Sequence, residues 1–287
     1  MLITAFLLVS FSSMIAQLDE AGRQEIIESM DSQMGEYSAI AQEIWGLAEL
    51  GFLEYKSTEV LQSKLREEGF TVRTDLAGMP TAFIAEYGTA GPVIALLAEF
   101  DALPDMAQEA TPDKAPIAGQ AAGHACGHHL FGAGSVAAAI HVKNWLAKTG
   151  TPGIVRLYGT PAEEGGGGKV YMVRAGLFDD VAAVLSWHPG SDNSADASSS
   201  LAAVSARFRF KGTSAHAAVA PWRGRSALDG VESMNYMVNL MREHITPDSR
   251  IHYAILNGAK APNIVPEFAE VAYIMRHPDM QECKSML

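Results

Sequence analysis

Five short segments, far apart in the chain, carry side chains from which a two-metal hydrolytic centre can be built. They hold Asp101 in AEFDALPD, Cys126 and His128 in GHACGHH, Glu163 and Glu164 in TPAEEGGGG, His188 in SWHPG, and His216 in KGTSAHAAVAPW. Thiolate is a soft ligand, imidazole a borderline one and carboxylate a hard one. A set that mixes all three suits a divalent ion, and a spare carboxylate can serve as a base.

Cys126 and His128 stand in C-x-H spacing, and Gly127 between them eases a tight backbone, so both side chains can reach one or two ions from a loop. That pair by itself reads as a buried cysteine beside a hydrogen-bonded histidine. His124 and His129 crowd the same segment, and such a cluster is costly to bury without a metal. Glu163 and Glu164 raise each other's cost of ionisation; a metal on one relieves the repulsion and leaves the other free as a general base. An isolated Glu-Glu pair reads as a solvated acidic turn, but here four glycines follow, and glycine permits close backbone approach to a ligand. His188 gains meaning from this company. Asp101 is expected to fix the tautomer of a metal-bound histidine rather than to ligate. His216 taken alone reads as a structural or surface histidine.

These residues need elements to carry them. Ile26, Ile27, Met30, Met34, Ile40, Ile44 and Leu47 recur at helical spacing, predicting one or two amphipathic helices over 24–50, and 58–69 continues in that style to a stop at Gly69. Short apolar runs at 81–87 and 92–100 read as buried strands. A helix at 130–149, a strand at 154–159, a helix at 169–175 and a strand at 181–187 follow. This alternation predicts an α/β domain whose mostly parallel sheet is flanked by helices. Asp101, Glu163, Glu164 and His188 each fall just after a predicted strand, where open α/β sheets bind ligands.

Beyond the small polar stretch DNSADASSS come a strand (201–211), a helix (226–245) and two strands (251–257 and 267–276), most of a small α+β sandwich. The expected organisation is an α/β domain over 18–199 and an incomplete α+β domain over 200–287.

With 48% hydrophobic and 19% charged residues the chain can bury a large core, which excludes a disordered protein. Its 21 basic and 33 acidic residues give a net charge of −12 with no basic cluster, which argues against nucleic-acid and anionic-membrane partners. Residues 1–17 are too short an apolar run for a membrane span and read as a secretory signal peptide cut after Ala16, although no Lys or Arg precedes the apolar core. The alternative is a first helix or strand of the fold. The expected location is secreted or periplasmic if the segment is cleaved, and cytoplasmic otherwise. Two cysteines make no disulfide framework, and Cys283 carries no legible role.

The motifs AEFDALP, GHACGHHLFG, GTPAEEGGGGK, SAHAAVAPWRGRSALDGVE and GKAPNIVPE, in that order, resemble the metallopeptidase family of aminoacylases, carboxypeptidase G, plant auxin-conjugate amidohydrolases and bacterial aminobenzoyl-glutamate hydrolase, the last branch most closely. The resemblance implies a catalytic α/β domain with an inserted lid or dimerisation domain, a homodimer formed through that lid, and two divalent ions, Zn or Mn. It implies Cys126 as bridging ligand, His128, Glu164 and His188 as further ligands, Glu163 as general base, and Asp101 in support. It places His216 in the partner subunit's site as an oxyanion donor, with Asn263 and Arg276 holding the substrate, a small N-acyl or aminoacyl amide or a dipeptide.

His129 departs from the Asp or Asn that usually follows the CGH triplet. The family's last histidine ligand falls beyond Leu287, so weak binding at one of two metal sites is expected. The alternative reading is a truncated, non-catalytic dimerising or binding relic.

Overall fold

Residues of the strands at 79–87 and 154–159 are buried on both faces, and these segments lie within the middle of a five-stranded sheet. The computed structural model describes residues 20–195 and 199–287, so the expected leader at 1–17 lies outside the described residues. The chain divides into two units, Met1–Asp192 and Asn193–Leu287.

In the first unit, helices α1 (Glu20–Ser32), α2 (Met34–Leu47) and α3 (Tyr55–Glu67) precede strands β1 (Thr71–Leu76), β2 (Met79–Tyr87) and β3 (Val93–Ala98). A two-residue ribbon of β4 (Leu103–Pro104) and β5 (Ala122–Gly123) leads to α4 (His128–Thr149), β6 (Ile154–Gly159), α5 (Gly168–Arg174) and β7 (Ala183–Leu185). The sheet order is β1-β2-β6-β3-β7; β6, β3 and β7 run parallel, and the β1–β2 hairpin adds an antiparallel edge. Phe83 and Ala85 face one core with Ile44, Leu61, Leu65 and Ile140 of α2, α3 and α4, whereas Ala82 and Ile84 face another with Met172 of α5. Burial on both faces is why these strands read as unbroken apolar runs. Strand β1 was not expected, because its residues only alternate between exposed and half-buried. The helix expected from residue 130 starts earlier, at His128.

Because β3, β6 and β7 are parallel, their carboxyl ends share one edge of the sheet. Ala98 leads there into Glu99 and Asp101, Gly159 into Glu163 and Glu164, and Leu185 into His188. The N–H and hydroxyl of Thr160 both donate to the Ala98 carbonyl, at 2.8 and 3.0 Å, tying two of these ends together.

The turn between Thr160 and Glu163 is strained. Ala162 has φ of 55°, a left-handed conformation that non-glycine residues adopt at a cost of about 1–3 kcal/mol. Glu54 holds it there. This fully buried carboxylate accepts the Ala162 N–H at 2.8 Å through one oxygen and the Thr81 hydroxyl at 2.8 Å through the other. The N–H groups of Gly166 and Gly167 then donate back to the Ala162 carbonyl at 3.0 and 2.7 Å. A Cβ on Gly168 would stand 2.0 Å from the Pro161 carbonyl oxygen. The glycine run therefore closes a turn upon its own chain, a role that the sequence reading did not include.

The second unit holds β8 (Ala202–Lys211), β9 (Ala215–His216), α6 (Ala227–Met241), β10 (Arg250–Asn257), β11 (Ile264–Val265), β12 (Phe268–His277) and α7 (Met280–Ser285). Its three-stranded antiparallel sheet, in the order β10-β12-β8, packs Val271 and Met275 with Val231 of α6. Cys283 belongs to this core.

This packing sets two expectations for stability. Leu157→Ala removes a fully buried side chain between sheet and helices, and should lower the unfolding free energy of the first unit by about 2–5 kcal/mol, read as a fall in the urea midpoint. Burial raises Glu54 above the ordinary carboxylate range, so the folded chain holds that proton more tightly than the unfolded one. Its contribution to stability is therefore greatest below the ordinary carboxylate pKa and declines as pH rises through the raised value. Urea titrations at pH 5 and 8 should show Glu54→Gln, which can keep both contacts, with a shallower decline. Glu54→Ala should lose about 1–3 kcal/mol at either pH.

Candidate metal centre

Asp101 is almost wholly buried and uses its two oxygens on different partners. Oδ1 accepts the His128 Nδ1–H at 2.9 Å, and Oδ2 accepts the backbone N–H of Glu164 at 2.9 Å. The Asp101 carbonyl lies 3.1 Å from the same ring nitrogen. With Nδ1 donating to Asp101, the ring of His128 turns its Nε2 toward the carboxylates. His188 is fixed in the same sense, its Nδ1–H donating to the Pro189 carbonyl at 2.9 Å, which leaves Nε2 3.3 Å from the Cys126 Sγ. An imidazole tied at one nitrogen by a carboxylate or carbonyl, with the other nitrogen bare, is the usual state of a metal-binding histidine. Gly127 makes the loop possible, with φ of 83° just before α4 begins.

Two triads of donor atoms result, each with all members within 4.8 Å of one another: Cys126, His128 and His188, and Glu99, His128 and Glu163. His128 is common to both. Glu164 Oε1 stands 4.0 Å from His128 Nε2. His128 Nε2, Glu99 Oε2 and Glu164 Oε1 are buried and find no hydrogen-bond partner among the described residues. Nε2 and Glu99 Oε2 do approach to 2.9 Å, but without hydrogen-bond alignment. Unpartnered buried donors of mixed softness converging on one point fit divalent ions.

The electrostatics agree. Burial raises the Cys126 thiol, as do its contact with Glu164 and the nearby charges of Glu163 and Glu99, to a pKa of about 11. Burial opposes charge on His128, but the adjacent Asp101 and Glu99 outweigh it, and its pKa is pushed up to about 10. Burial raises Glu163 as well, reinforced chiefly by the charge of Glu99, which suits a group that must take up a proton. Burial and the carboxylates thus hold a proton on the thiol, the carboxylates hold one on the imidazole, and a cation would displace both.

Glu99 and Lys169 are the partners that sequence reasoning missed. Glu99 is buried, and its second oxygen is paired with the Lys169 ammonium. The available signal was strand alternation, since residues 99 and 101 lie two apart at a strand end and share a side. His129, the departure after the CGH triplet, is buried against Trp45 and His124, with ring centroids 4.9 and 5.1 Å away, and burial lowers its pKa to about 4.

His216, Asn263 and Arg276 belong to the second unit. His216 pairs with Ile264 across the β9–β11 ribbon, and Ala217 N–H donates to the Asn263 carbonyl at 3.0 Å, so these two are neighbours. The His216 Nδ1 accepts from Ala218 and Val219 N–H at 3.2 and 3.3 Å, which leaves its proton on Nε2. Arg276 is exposed eight residues along β12 from Phe268, about 27 Å at ~3.4 Å per residue, away from the end where the ribbon joins. It is not brought beside His216 and Asn263.

Residues 95–273 match the sequence profile of peptidase family M20/M25/M40. The chain is 46% identical over 259 residues to one of the subunits of the p-aminobenzoyl-glutamate hydrolase of Escherichia coli, covering 90% of this chain and 54% of that protein. It is 32% identical over 273 residues to the Xaa-Arg dipeptidase of Mus musculus, covering 91% of this chain and 59% of that protein. It therefore spans a little over half the length of these relatives. A dinuclear metal-binding peptidase of Bacillus subtilis shares the fold, with a TM-score of 0.59 at 21% identity over 87% of this chain and 66% of that one. Family profile, relatives and fold agree, and the chain belongs to peptidase family M20/M25/M40.

Proposed function

We propose that this protein hydrolyses a small N-acyl or aminoacyl amide, of the aminobenzoyl-glutamate or dipeptide kind, using two divalent ions and Glu163 as general base. The observation that carries the reading is the convergence of Cys126, His128 and His188, both imidazoles fixed through Nδ1 with Nε2 turned into the cluster, beside the Glu163–Glu164 pair. The substrate class is supported by the names of two relatives, a p-aminobenzoyl-glutamate hydrolase and an Xaa-Arg dipeptidase. A non-catalytic relic finds no support, since thiol, imidazoles and both carboxylates are in place and those relatives are hydrolases.

In this reading Cys126, His128, Glu164 and His188 hold the ions, zinc or manganese. When bound, these supply Lewis acidity, acidifying a water and polarising the amide carbonyl. Glu163 takes the proton of the attacking water on a carboxylate oxygen and returns it to the leaving amine nitrogen. Asp101 keeps His128 in the right tautomer and pins the backbone of Glu164. His216, with its proton on Nε2, is the donor we assign to the developing oxyanion, from a second copy of the chain; Asn263 beside it is assigned to the substrate, and Arg276, at the far end of β12, is not grouped with them. A homodimer is supported by Tyr236, Met237 and Leu240, which leave an exposed apolar face on α6.

Glu163→Gln should keep its metal by elemental analysis while kcat on p-aminobenzoyl-glutamate or an Xaa-Arg dipeptide drops by about 10²–10⁴-fold. Undiminished turnover by that variant would falsify the assignment of the base. Because His128 and Cys126 hold protons up to about pH 10 and 11, metal binding must release them, and apparent affinity should climb steadily from pH 6 to 8. Calorimetry in buffers of different ionisation enthalpy should count about one proton fewer for Cys126→Ser; an unchanged count would remove the thiol from the ligand set.

A further inference from the structure

We propose that Glu99 is itself a metal ligand of this centre, giving a hard carboxylate oxygen to the position it shares with His128, with Lys169 as its charge partner. The proposal rests on the metal-dependent reading above and adds to its ligand set.

Glu99 Oε1 is satisfied by the Lys169 ammonium, whereas Oε2 is buried, has no hydrogen-bond partner among the described residues and stands 2.9 Å from His128 Nε2. That nitrogen also lacks an aligned partner among the described residues, because Asp101 engages the ring at Nδ1. Once Nε2 gives up its proton, the two atoms are acceptors that repel in a buried setting. A proton between them would be poorly aligned, but a cation needs no such alignment. Their spacing also fits one ion: two bonds of about 2.1 Å meeting at right angles place their donors about 3.0 Å apart. Glu163 completes a triad with these two, all donors lying within 4.8 Å of one another. A buried carboxylate with one oxygen neutralised and the other unpartnered at a cluster of donors is what a coordinated carboxylate looks like.

The chemistry that follows is an asymmetric centre. Cys126 and His188 make one position soft, favouring zinc-like ions, and Glu99 makes the other hard, favouring manganese-like ions. Lys169 offsets part of the negative charge that the extra carboxylate brings.

The test is metal titration of the full chain with Zn²⁺, Mn²⁺ and Co²⁺ against a chelator of known affinity, for wild type, Glu99→Gln, Glu99→Asp and Lys169→Met. Glu99→Gln should weaken one of two sites by at least about 10-fold, the lower end of what even an outer partner of a ligand contributes. Its Co²⁺ form should keep the thiolate-to-cobalt charge-transfer band, which Cys126→Ser should lose. Lys169→Met, by removing a positive charge, should bind at least as tightly as wild type. If Glu99→Gln does not fold, Glu99→Asp and Lys169→Met carry the comparison, with Glu99→Asp expected to retain part of the affinity. Wild-type affinity in Glu99→Gln overturns the proposal and leaves the metal-dependent reading standing. So does a loss in Lys169→Met equal to that in Glu99→Gln, because Glu99 would then act only through its ion pair. A wild-type chain that takes up no ion removes the metal-dependent reading, and this proposal with it.

Discussion

One carboxylate joins the two halves of the centre. Asp101 orients the ring of His128 through Oδ1 and the backbone of Glu164 through Oδ2, each at 2.9 Å. The bond to His128 is fully buried and the bond to Glu164 partly so, and moving Asp101 would move a ligand and the carboxylate turn together. The geometry of the centre therefore depends on where the end of β3 is held. That end is fixed by pairing with β6 as far as Ala98 and by Thr160 gripping the Ala98 carbonyl.

Like charges gathered this closely oppose folding, and the protein restrains them in stages. Lys169 neutralises one oxygen of Glu99, backbone N–H groups engage Asp101 and Glu54, and the remaining negative potential is met by protons on Cys126 and His128. Those two protons are what an incoming cation replaces. The same fields thus serve folding without metal and binding with it.

Much of this was legible in the sequence because the strand ends are marked by apolar runs and the chemistry sits just past them. Asp101, the Glu163–Glu164 pair and His188 could be placed on one sheet edge from that pattern. The rest was hidden for identifiable reasons. Glu99 lies within a quoted motif, but its pairing with Lys169 spans 70 residues and is decided by packing. The glycines after Glu164 looked like room for a ligand, yet they answer to the Pro161 and Ala162 carbonyls, a contact internal to the turn. Strand β1 escaped because an edge strand needs no buried run. The distance of Arg276 from Asn263 along the second unit depends on how far β12 extends, which periodicity fixes only loosely.

The high pKa of Cys126 has a consequence for chemical durability. At about 11 instead of the ordinary 9, the thiol carries roughly a hundredfold less thiolate at neutral pH than a free cysteine does. Oxidation and alkylation proceed through the thiolate, so an unloaded centre is shielded from both. Burial, with the carboxylates that draw in a cation, also keeps the sulfur ligand protonated while the centre waits.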